Sequence, residues 1–353
     1  MSIFNKKPFL IAEIGVNYYD IAIKENISNI NAAKLMIDEA KKCGVDAVKF
    51  QSYKANTIAS KNSPSYWDLN EEPTKSQFEL FKKFDKFNEE DYKELSKYCN
   101  KLGIMFLSTP FDFESIDYLD NFMDIYKISS SDLTNIPFIK KIAKKNKPIL
   151  LSTGASNLDE INDAINAIKE ISDVEIGVLH CVLSYPTENS NANLLMIKDL
   201  KEKYPQLEIG YSDHTKPDEK MIILTTAYLY GANIIEKHFT LDKTLKGNDH
   251  YHAMTPDDVK KFNENINLIK TINGLSSKRV LDCEEVARKQ ARRSIVAKRD
   301  IEIGEILTHN DITFKRPGTG ISPKNLEQII GCEVIQKINE DEILSFDMFK
   351  KYR

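Results

Sequence analysis

The chain has 353 residues, of which 41% are hydrophobic and 29% are charged, and its formal net charge is −4. This length predicts one large and one small domain, and the composition is that of a soluble globular protein. The negative net charge argues against nucleic acid as the main binding partner. No apolar run reaches the roughly 20 residues of a membrane helix.

The five cysteines are scattered along the chain and show no CxxC spacing. Such cysteines predict a reduced, cytoplasmic protein with neither a disulfide framework nor a zinc site. The first nine residues lack the apolar run and cleavage site of a signal peptide, which points to the same compartment.

From residue 9 to about residue 272, short apolar runs alternate with longer amphipathic segments. Eight of the apolar runs predict strands: Phe9 to Gly15, Ala47 to Gln51, Ile104 to Pro110, Ile125 to Ser130, Pro148 to Gly154, Ile176 to Cys181, Glu208 to His214 and Ile234 to Phe239. Eight strands, each followed by a helix, predict an α/β fold, a (β/α)8 TIM barrel over residues 1–272. No glycine fingerprint follows the first strand, which disfavours a doubly wound dinucleotide-binding sheet.

Two segments depart from this alternation. Residues 54–87 are too long for an ordinary connection, and they form either a surface insertion or a lid over the barrel mouth. After a polar linker at 273–290, residues 291–353 change to short β-like runs with glycine and proline turns. These runs predict a small β-rich domain that is marginally stable alone.

The carboxyl ends of the predicted strands carry polar residues: Glu13, Lys49, Gln51, Ser108, Thr109, Lys127, Ser130, Ser152, Thr153, His180, Asp213, His214, Glu236 and His238. In a TIM barrel these ends meet at one mouth, where barrel enzymes place their active sites. Two lysines and several hydroxyls suit a substrate with a phosphate and a carboxylate. His214 and His238, on neighbouring strand ends with Asp213 and Glu236 nearby, suit a divalent metal that polarises a carbonyl.

Several of these residues also have a purely structural interpretation. Lys49 could lie on the outer face of its strand, and His180 is expected to be a hydrogen-bonded core histidine. His250 and His252 follow the eighth strand, where a solvated loop is the expectation. Arg316, beside Pro317, could be an ordinary turn residue.

At these same positions the sequence closely resembles the sialic acid (nonulosonate) synthase family. Its motifs appear in order along the barrel: AEIGVN from Ala12, VKFQ from Val48, LSTPF from Leu107, YKI from Tyr126, LSTGA from Leu151, LHC and YPT around His180 and Tyr185, GYSDHT from Gly210, IEKHFTLDK from Ile235 and GNDH from Gly247. The tail is similar to the family's antifreeze-like (SAF) domain through SIVAKRDI and KRPGTGISP.

The resemblance implies an enzyme that condenses phosphoenolpyruvate with an open-chain acetamido sugar and releases phosphate by C–O cleavage. It implies Mn²⁺, or another divalent cation such as Mg²⁺ or Co²⁺, held by His214 and His238. The implied donor contacts are Lys49, Gln51, Thr109, Lys127 and Ser130, with Glu13 managing a proton or orienting water. On the acceptor side it implies Asp132 and Tyr185, and it implies that Glu236 and Asp249 contact the acceptor sugar or metal-bound water.

The resemblance also implies that Arg316 of the tail reaches the active site of another subunit, in a domain-swapped homodimer. Three departures from the family pattern concern the sugar side: Tyr18 stands where a histidine is usual, Leu183 replaces a polar residue, and Asp132 replaces a glutamate. The donor chemistry is therefore better defined than the acceptor.

Two acceptors fit this interpretation. N-acetylmannosamine, which would give N-acetylneuraminate, is favoured as the family's default. 2,4-Diacetamido-2,4,6-trideoxy-mannose, which would give N,N'-diacetyllegionaminate, is the alternative. A metal-dependent barrel aldolase or isomerase is a more remote possibility, and a non-catalytic binding protein is disfavoured because burying lysines and acids would bring it no advantage.

Overall fold

The computed structural model describes residues 8–247 and 249–350, which form two compact units divided between Ile272 and Asn273. The strands of the described chain are β1 (Phe9–Gly15), β2 (Ala47–Ser52), β3 (Met105–Pro110), β4 (Tyr126–Ile128), β5 (Ile149–Ser152), β6 (Ile176–Cys181), β7 (Glu208–Asp213), β8 (Ile234–His238), β9 (Ser294–Ala297) and β10 (Ile312–Lys315).

The α-helices of the same residues alternate with these strands. They are α1 (Tyr18–Glu25), α2 (Asn29–Cys43), α3 (Ala55–Ile58), α4 (Gln77–Phe84), α5 (Glu89–Leu102), α6 (Phe113–Leu119), α7 (Ile136–Ala143), α8 (Leu158–Lys169), α9 (Leu195–Lys203), α10 (Ile222–Leu229), α11 (Pro256–Asn273) and α12 (Glu285–Ala291). Among these helices, none is long and apolar enough to cross a membrane.

The first unit is a parallel β-barrel surrounded by helices. Its strands are hydrogen-bonded in the order β3-β2-β1-β8-β7-β6-β5-β4, and the two end strands lie side by side, so that the barrel is nearly closed. Eight strands in this arrangement confirm the predicted (β/α)8 fold. A large apolar cluster fills the layer between strands and helices.

A second apolar cluster fills the lower interior of the barrel and consists of Phe9, Ile11, Ala47, Leu107, Ile125, Leu150, Leu179 and Ile234. Side chains two residues apart on a strand share a face. The residue two positions after each of these apolar residues therefore also points inward. Those following positions include Glu13, Lys49, Thr109, Lys127, Ser152 and Glu236. Most of the strands thus contribute an apolar residue to the interior and a polar one to the mouth above it.

The long segment between β2 and β3 packs on the barrel through its aromatic residues. Val16, Tyr53, Trp67, Leu80 and Phe84 form a separate buried cluster. The Trp67 indole donates hydrogen bonds to the carbonyls of Glu72 and Thr74, both at 3.1 Å, which ties Trp67 to the loop residues that follow it. The insertion is therefore a packed structure with its own small core.

The second unit is a small β-rich fold with an independent apolar core. Strand β9 pairs antiparallel with β10, and Ile295, Ile301, Leu307, Ile338 and Leu344 are among its fully buried residues. This unit agrees with the β-rich tail that the sequence predicts.

Candidate active site

The polar strand ends enclose a small cavity of about 70 Å³ at the barrel mouth. Most of the residues that the sequence analysis selected line it: Glu13, Lys49, Gln51, Thr109, Lys127, Ser130, Tyr185, His214, Glu236 and His238. Ser152, which the analysis considered as a strand-end residue, lines it as well, and so do Ser212 and Cys181.

Lys49 lies at the centre of a buried charge network. Its Nζ contacts Glu13 Oε2, lies 3.8 Å from Glu236 Oε2 and donates a hydrogen bond of 2.8 Å to Thr109 Oγ1. All three partners are buried with it. Lys49 therefore points into the mouth and is not the surface residue of the alternative interpretation.

Lys127 lies across the cavity and shares Glu236 with Lys49. Its Nζ donates a 2.6 Å hydrogen bond to Ser152 Oγ and lies 3.7 Å from Glu236 Oε1. Ser212 Oγ donates to the same Glu236 oxygen at 2.9 Å, which fixes the carboxylate between the two lysines. Two cations thus flank one central carboxylate.

Burial and charge shift the pKa values of these groups in different directions. Burial, joined by the nearby charge of Glu236, raises the pKa of Glu13 to about 7, although Lys49 acts against it. Burial also acts to raise the pKa of Glu236, but Lys127 and Lys49 overcome it and hold that pKa below its usual value. Burial lowers the pKa of Lys127. Glu13 is therefore the carboxyl group that can exchange a proton near neutral pH.

Ser130 and Gly154 bring two loops together at the edge of this cavity. The Gly154 amide donates a 3.0 Å hydrogen bond to Ser130 Oγ. A Cβ at position 154 would lie 2.9 Å from that oxygen and 3.1 Å from the Leu183 amide nitrogen. Glycine is required here because any side chain would push the loops apart.

The two histidines selected from the sequence, His214 and His238, lie close together at the ends of β7 and β8, with ring centroids 5.6 Å apart. His214 Nδ1 is 2.8 Å from the Val182 carbonyl oxygen, to which it donates, so that its Nε2 is left as the acceptor nitrogen. The Tyr185 ring lies 4.2 Å from the His214 ring. His238 Nδ1 is buried, makes no hydrogen bond to the described residues and lies 3.7 Å from Asp249 Oδ2.

The expectation of a solvated loop for His250 and His252 is wrong, because both side chains are fully buried. The His250 ring contacts Thr240 Oγ1 at 2.7 Å and Asp20 Oδ2 at 3.2 Å, so it ties the loop after β8 to α1. His252 instead packs against residues that line the site, and its ring centroid is 5.0 Å from that of His238 and 5.7 Å from that of Tyr185. Ligand atoms of His238, Asp249 and His252 all lie within 4.8 Å of one another.

Asp213 does not face the mouth, contrary to the sequence interpretation. Its Oδ2 accepts a 2.6 Å hydrogen bond from Lys237, its neighbour across the β7–β8 ladder, outside the barrel interior. Ser212 and His214, one residue to either side, point inward, as the alternation of side chains along a strand requires. The Lys237–Asp213 pair is therefore structural.

A larger cavity of about 280 Å³ opens beside the polar one and shares Gln51, Phe111, Tyr185 and His238 with it. Its lining is mostly aliphatic and aromatic, and the insertion supplies Ile58, Tyr66, Trp67, Leu80, Phe81 and Phe84. Leu183 and Asp249 line it from the barrel side. A substrate that extends from the polar cavity would meet an apolar surface here.

Three other positions lie outside both cavities. Asp132 is half-buried and accepts a 3.4 Å hydrogen bond from Asn135 Nδ2. Tyr18 packs against Phe87 with ring centroids 4.1 Å apart and does not replace a mouth histidine. Arg316 is exposed on a turn of the second unit, beside Pro317, whose carbonyl accepts a 2.6 Å hydrogen bond from Ser294 Oγ.

Comparison with known proteins now identifies the family. Residues 36–278 match the sequence model of the NeuB family, and residues 292–350 match that of the SAF domain. The chain belongs to the NeuB family. Its membership confirms the predicted class, a phosphoenolpyruvate-dependent transferase of the nonulosonic acid synthase type with a SAF domain.

Individual NeuB relatives cover nearly the whole chain. The N,N'-diacetyllegionaminic acid synthase of Campylobacter jejuni is 38% identical over 96% of this chain and 99% of its own. The enzyme of the same name from Legionella pneumophila is 36% identical over 96% and 94%. The crystal structure of a sialic acid synthetase from Leptospira borgpetersenii, solved with citrate, superposes with a TM-score of 0.68 at 32% identity, over 80% of this chain and 90% of that one.

Sequence reasoning did not select Ser212, Cys181 or His252 for this NeuB site, whereas it did place Leu183 on the acceptor side. Ser212 follows from strand alternation, since it lies two residues before His214 on the same face. Cys181 follows from the same rule on β6. The sequence gives no periodic signal for Leu183 and His252, because both lie in loops.

Proposed function

We propose that this NeuB enzyme condenses phosphoenolpyruvate with 2,4-diacetamido-2,4,6-trideoxy-mannose and water to give N,N'-diacetyllegionaminate and phosphate. The observation that carries the proposal is the pairing of two cavities, a polar one with two buried lysines and an apolar one beside it. The first suits the small, highly charged donor, and the second suits an acceptor rich in methyl groups.

The donor binds between Lys49 and Lys127. A phosphate and a carboxylate on one small molecule need at least two cations in a site that excludes water, and charge-assisted hydrogen bonds are strongest there. Thr109 and Ser152 already bond to the two lysines and hold their ammonium groups in place. Gln51 and Ser130 add neutral hydrogen-bonding groups at the rim.

Glu13 acts as the general base. In the reaction C3 of phosphoenolpyruvate attacks the aldehyde carbon, water adds at C2, and phosphate leaves with its bridging oxygen by C–O cleavage. The proton lost by that water needs an acceptor whose pKa lies near the working pH, and Glu13 has a pKa of about 7. Gln51 Nε2 donates a 3.1 Å hydrogen bond to Glu13 Oε1 and orients the carboxylate.

The site fits a divalent cation. Buried imidazole nitrogens without hydrogen bonds are costly in protein alone, and His238 presents one beside the Asp249 carboxylate. Burial lowers the pKa of His238 well below its usual value, which keeps it in the neutral form that binds metals. His214, His238 and Asp249 would hold the ion, Mn²⁺ or another such as Mg²⁺ or Co²⁺. When bound, it supplies Lewis-acid polarisation of the acceptor's aldehyde oxygen.

The apolar cavity favours the trideoxy acceptor over N-acetylmannosamine, which the sequence alone favoured. N-acetylmannosamine carries hydroxyls at C4 and C6, whereas the trideoxy sugar has an acetamido group and a methyl group there. A hydroxyl placed among Leu183, Phe81 and Trp67 loses its hydrogen bonds to water and gains none from these side chains. A methyl group is stabilised by the same apolar surroundings. The two relatives named as N,N'-diacetyllegionaminic acid synthases support the same acceptor.

Phosphate release from phosphoenolpyruvate with Mn²⁺ tests the proposal when three acceptors are compared. These are the trideoxy sugar, N-acetylmannosamine and its 6-deoxy derivative, which separates the contribution of C6 from that of C4. We expect the highest kcat/KM with the trideoxy sugar, and phosphate that retains ¹⁸O from the bridging position of labelled phosphoenolpyruvate. A preference for N-acetylmannosamine would refute the acceptor, and no release with any sugar would refute the reaction.

We further propose that the enzyme is a cytoplasmic, domain-swapped homodimer in which Arg316 of one subunit completes the acceptor site of the other. The turn that carries Arg316 is anchored, since Gly318 donates a 2.8 Å hydrogen bond to the Lys289 carbonyl. Its guanidinium is exposed and can bind an acetamido carbonyl.

A further inference from the structure

The loop after β8 contains two buried histidines with opposite hydrogen-bonding states. His250 and His252 are both 0% exposed. His250 is satisfied at both nitrogens, by Thr240 and Asp20. Neither ring nitrogen of His252 makes a hydrogen bond to any residue that the structure describes. A structural role explains the first histidine and leaves the second without an explanation.

The cost of this arrangement points to a ligand. A buried polar atom without a partner costs about 1–3 kcal/mol, and among residues 8–247 and 249–350 His252 finds a partner for neither ring nitrogen. The neighbours of its ring are themselves rings, with centroid separations of 5.0 Å from Tyr251, 5.7 Å from Tyr185 and 5.0 Å from His238. An imidazole held among rings, whose nitrogens make no hydrogen bond within the described part of the chain, is poised to bind a cation.

The geometry also suits a shared ion. Metal–ligand bonds of about 2.1 Å place two ligand atoms of one ion roughly 3 to 4.2 Å apart. The ligand atoms of His238, Asp249 and His252 lie within 4.8 Å of one another, close to that range. The His214 ring lies 5.6 Å from that of His238 and 6.3 Å from that of His252, so the three imidazoles form one group.

We propose that His252 is a third imidazole ligand of the divalent ion, beside His214 and His238, with Asp249 as an oxygen ligand. A centre with three nitrogens and one carboxylate favours a first-row transition ion such as Mn²⁺, Fe²⁺ or Co²⁺ over Mg²⁺, because Mg²⁺ prefers oxygen ligands. The inference rests on the divalent ion of the proposed function and is independent of which sugar is the acceptor.

Pulsed electron paramagnetic resonance of the Mn²⁺-loaded full-length enzyme, without phosphoenolpyruvate or sugar, tests this directly. Couplings to ¹⁴N count the imidazoles on the ion. We expect three in the unaltered protein and two in His252→Ala. Two couplings in the unaltered protein would overturn the inference even if the variant failed to fold.

Calorimetric titration supplies a second measurement. We expect His252→Ala and His252→Gln to raise the Kd for Co²⁺ and Mn²⁺ at least about tenfold, which corresponds to about 1.4 kcal/mol, and to change the weaker Mg²⁺ Kd much less. Unchanged Co²⁺ and Mn²⁺ Kd values in folded variants would overturn the proposal.

His250→Asn is the matched control, because it alters an equally buried histidine of the same loop. It removes the contacts with Thr240 and Asp20, so we expect a lower Tm with the Co²⁺ Kd unchanged within about twofold. An equal rise of Kd in both variants would mean that loop disorder weakens binding, and the ligand role of His252 would be wrong. Failure of the unaltered protein to bind any divalent ion would refute the proposed function's metal as well.

Discussion

Leu183→Asn should shift the acceptor preference of the enzyme. Leu183 lines the apolar cavity. It directly follows Val182, whose carbonyl oxygen accepts the hydrogen bond from His214. Asparagine is similar in size to leucine and presents an amide that can bond to a sugar hydroxyl. The substitution therefore changes the polarity of one wall with little change in volume.

The magnitude follows from the substituent that meets this wall. Burying one methyl group contributes about 0.8 kcal/mol, and desolvating an unpaired hydroxyl costs about 1–3 kcal/mol. Together they give about 1.8–3.8 kcal/mol, or about 20- to 600-fold in kcat/KM between the trideoxy sugar and N-acetylmannosamine. The asparagine amide removes much of both terms, so we expect the preference to fall by at least about tenfold.

The assay is phosphate release at subsaturating concentrations of each sugar, with fixed phosphoenolpyruvate and Mn²⁺. Leu195→Asn is the matched control, since Leu195 is 64% exposed and lies outside both cavities. The control should keep the original ratio. A ratio that is equal in Leu183→Asn and the unaltered enzyme would refute the assignment of this cavity to the acceptor.

Three further predictions concern the donor pocket, the pH profile and the assembly. Lys127→Met should lower kcat/KM for phosphoenolpyruvate at least about 10²-fold, because it leaves Glu236 with one cation fewer. Lys140→Met, which alters a half-buried lysine of α7 outside both cavities, should leave steady-state kinetics unchanged. With saturating substrates, kcat should fall as pH drops through about 7, since protonated Glu13 cannot accept the proton of water; a rate independent of pH between 5.5 and 8 would contradict that role. When the inactive Arg316→Ala and Lys127→Met chains are mixed and allowed to exchange subunits, about a quarter of the activity should return, because each heterodimer has one complete site. No recovery would show that the arginine acts within its own chain.

The barrel could be predicted because the signal for it is local and repeated. Each strand is a short apolar run followed by an amphipathic helix, and the polar residue at the end of each run marks the mouth. Lys49, Thr109, Lys127 and Glu236 were found in this way. Ser212 and Asp213 show that a polar residue near a strand end does not by itself belong to the mouth. Neighbouring side chains on a strand point to opposite faces, so only one of these two can point inward. This alternation, applied to β7, places both residues correctly.

The loop residues could not be predicted in the same way. His252 lies in a segment without periodicity, and its burial depends on Tyr185 and Tyr251, which pack around it in the fold. The apolar cavity likewise combines Leu183 with Phe81 and Trp67, which are about 100 residues away in the chain. Such contacts arise from tertiary packing and leave no local pattern in the sequence.

The charged groups of the polar cavity lie at strand ends, whereas Leu183 and Trp67 of the apolar cavity lie in loops. This separation affects how the substrate specificity of the enzyme can change in evolution. Changing Lys127 or Glu236 disturbs every charge in the polar cavity, because each shares its partner with another group. Changing Leu183 or Trp67 alters only the lining of the apolar cavity, where we propose that the acceptor binds. Substitutions in these loops can therefore lead a lineage from one nine-carbon sugar acid to another while the step that forms the carbon–carbon bond is inherited unchanged.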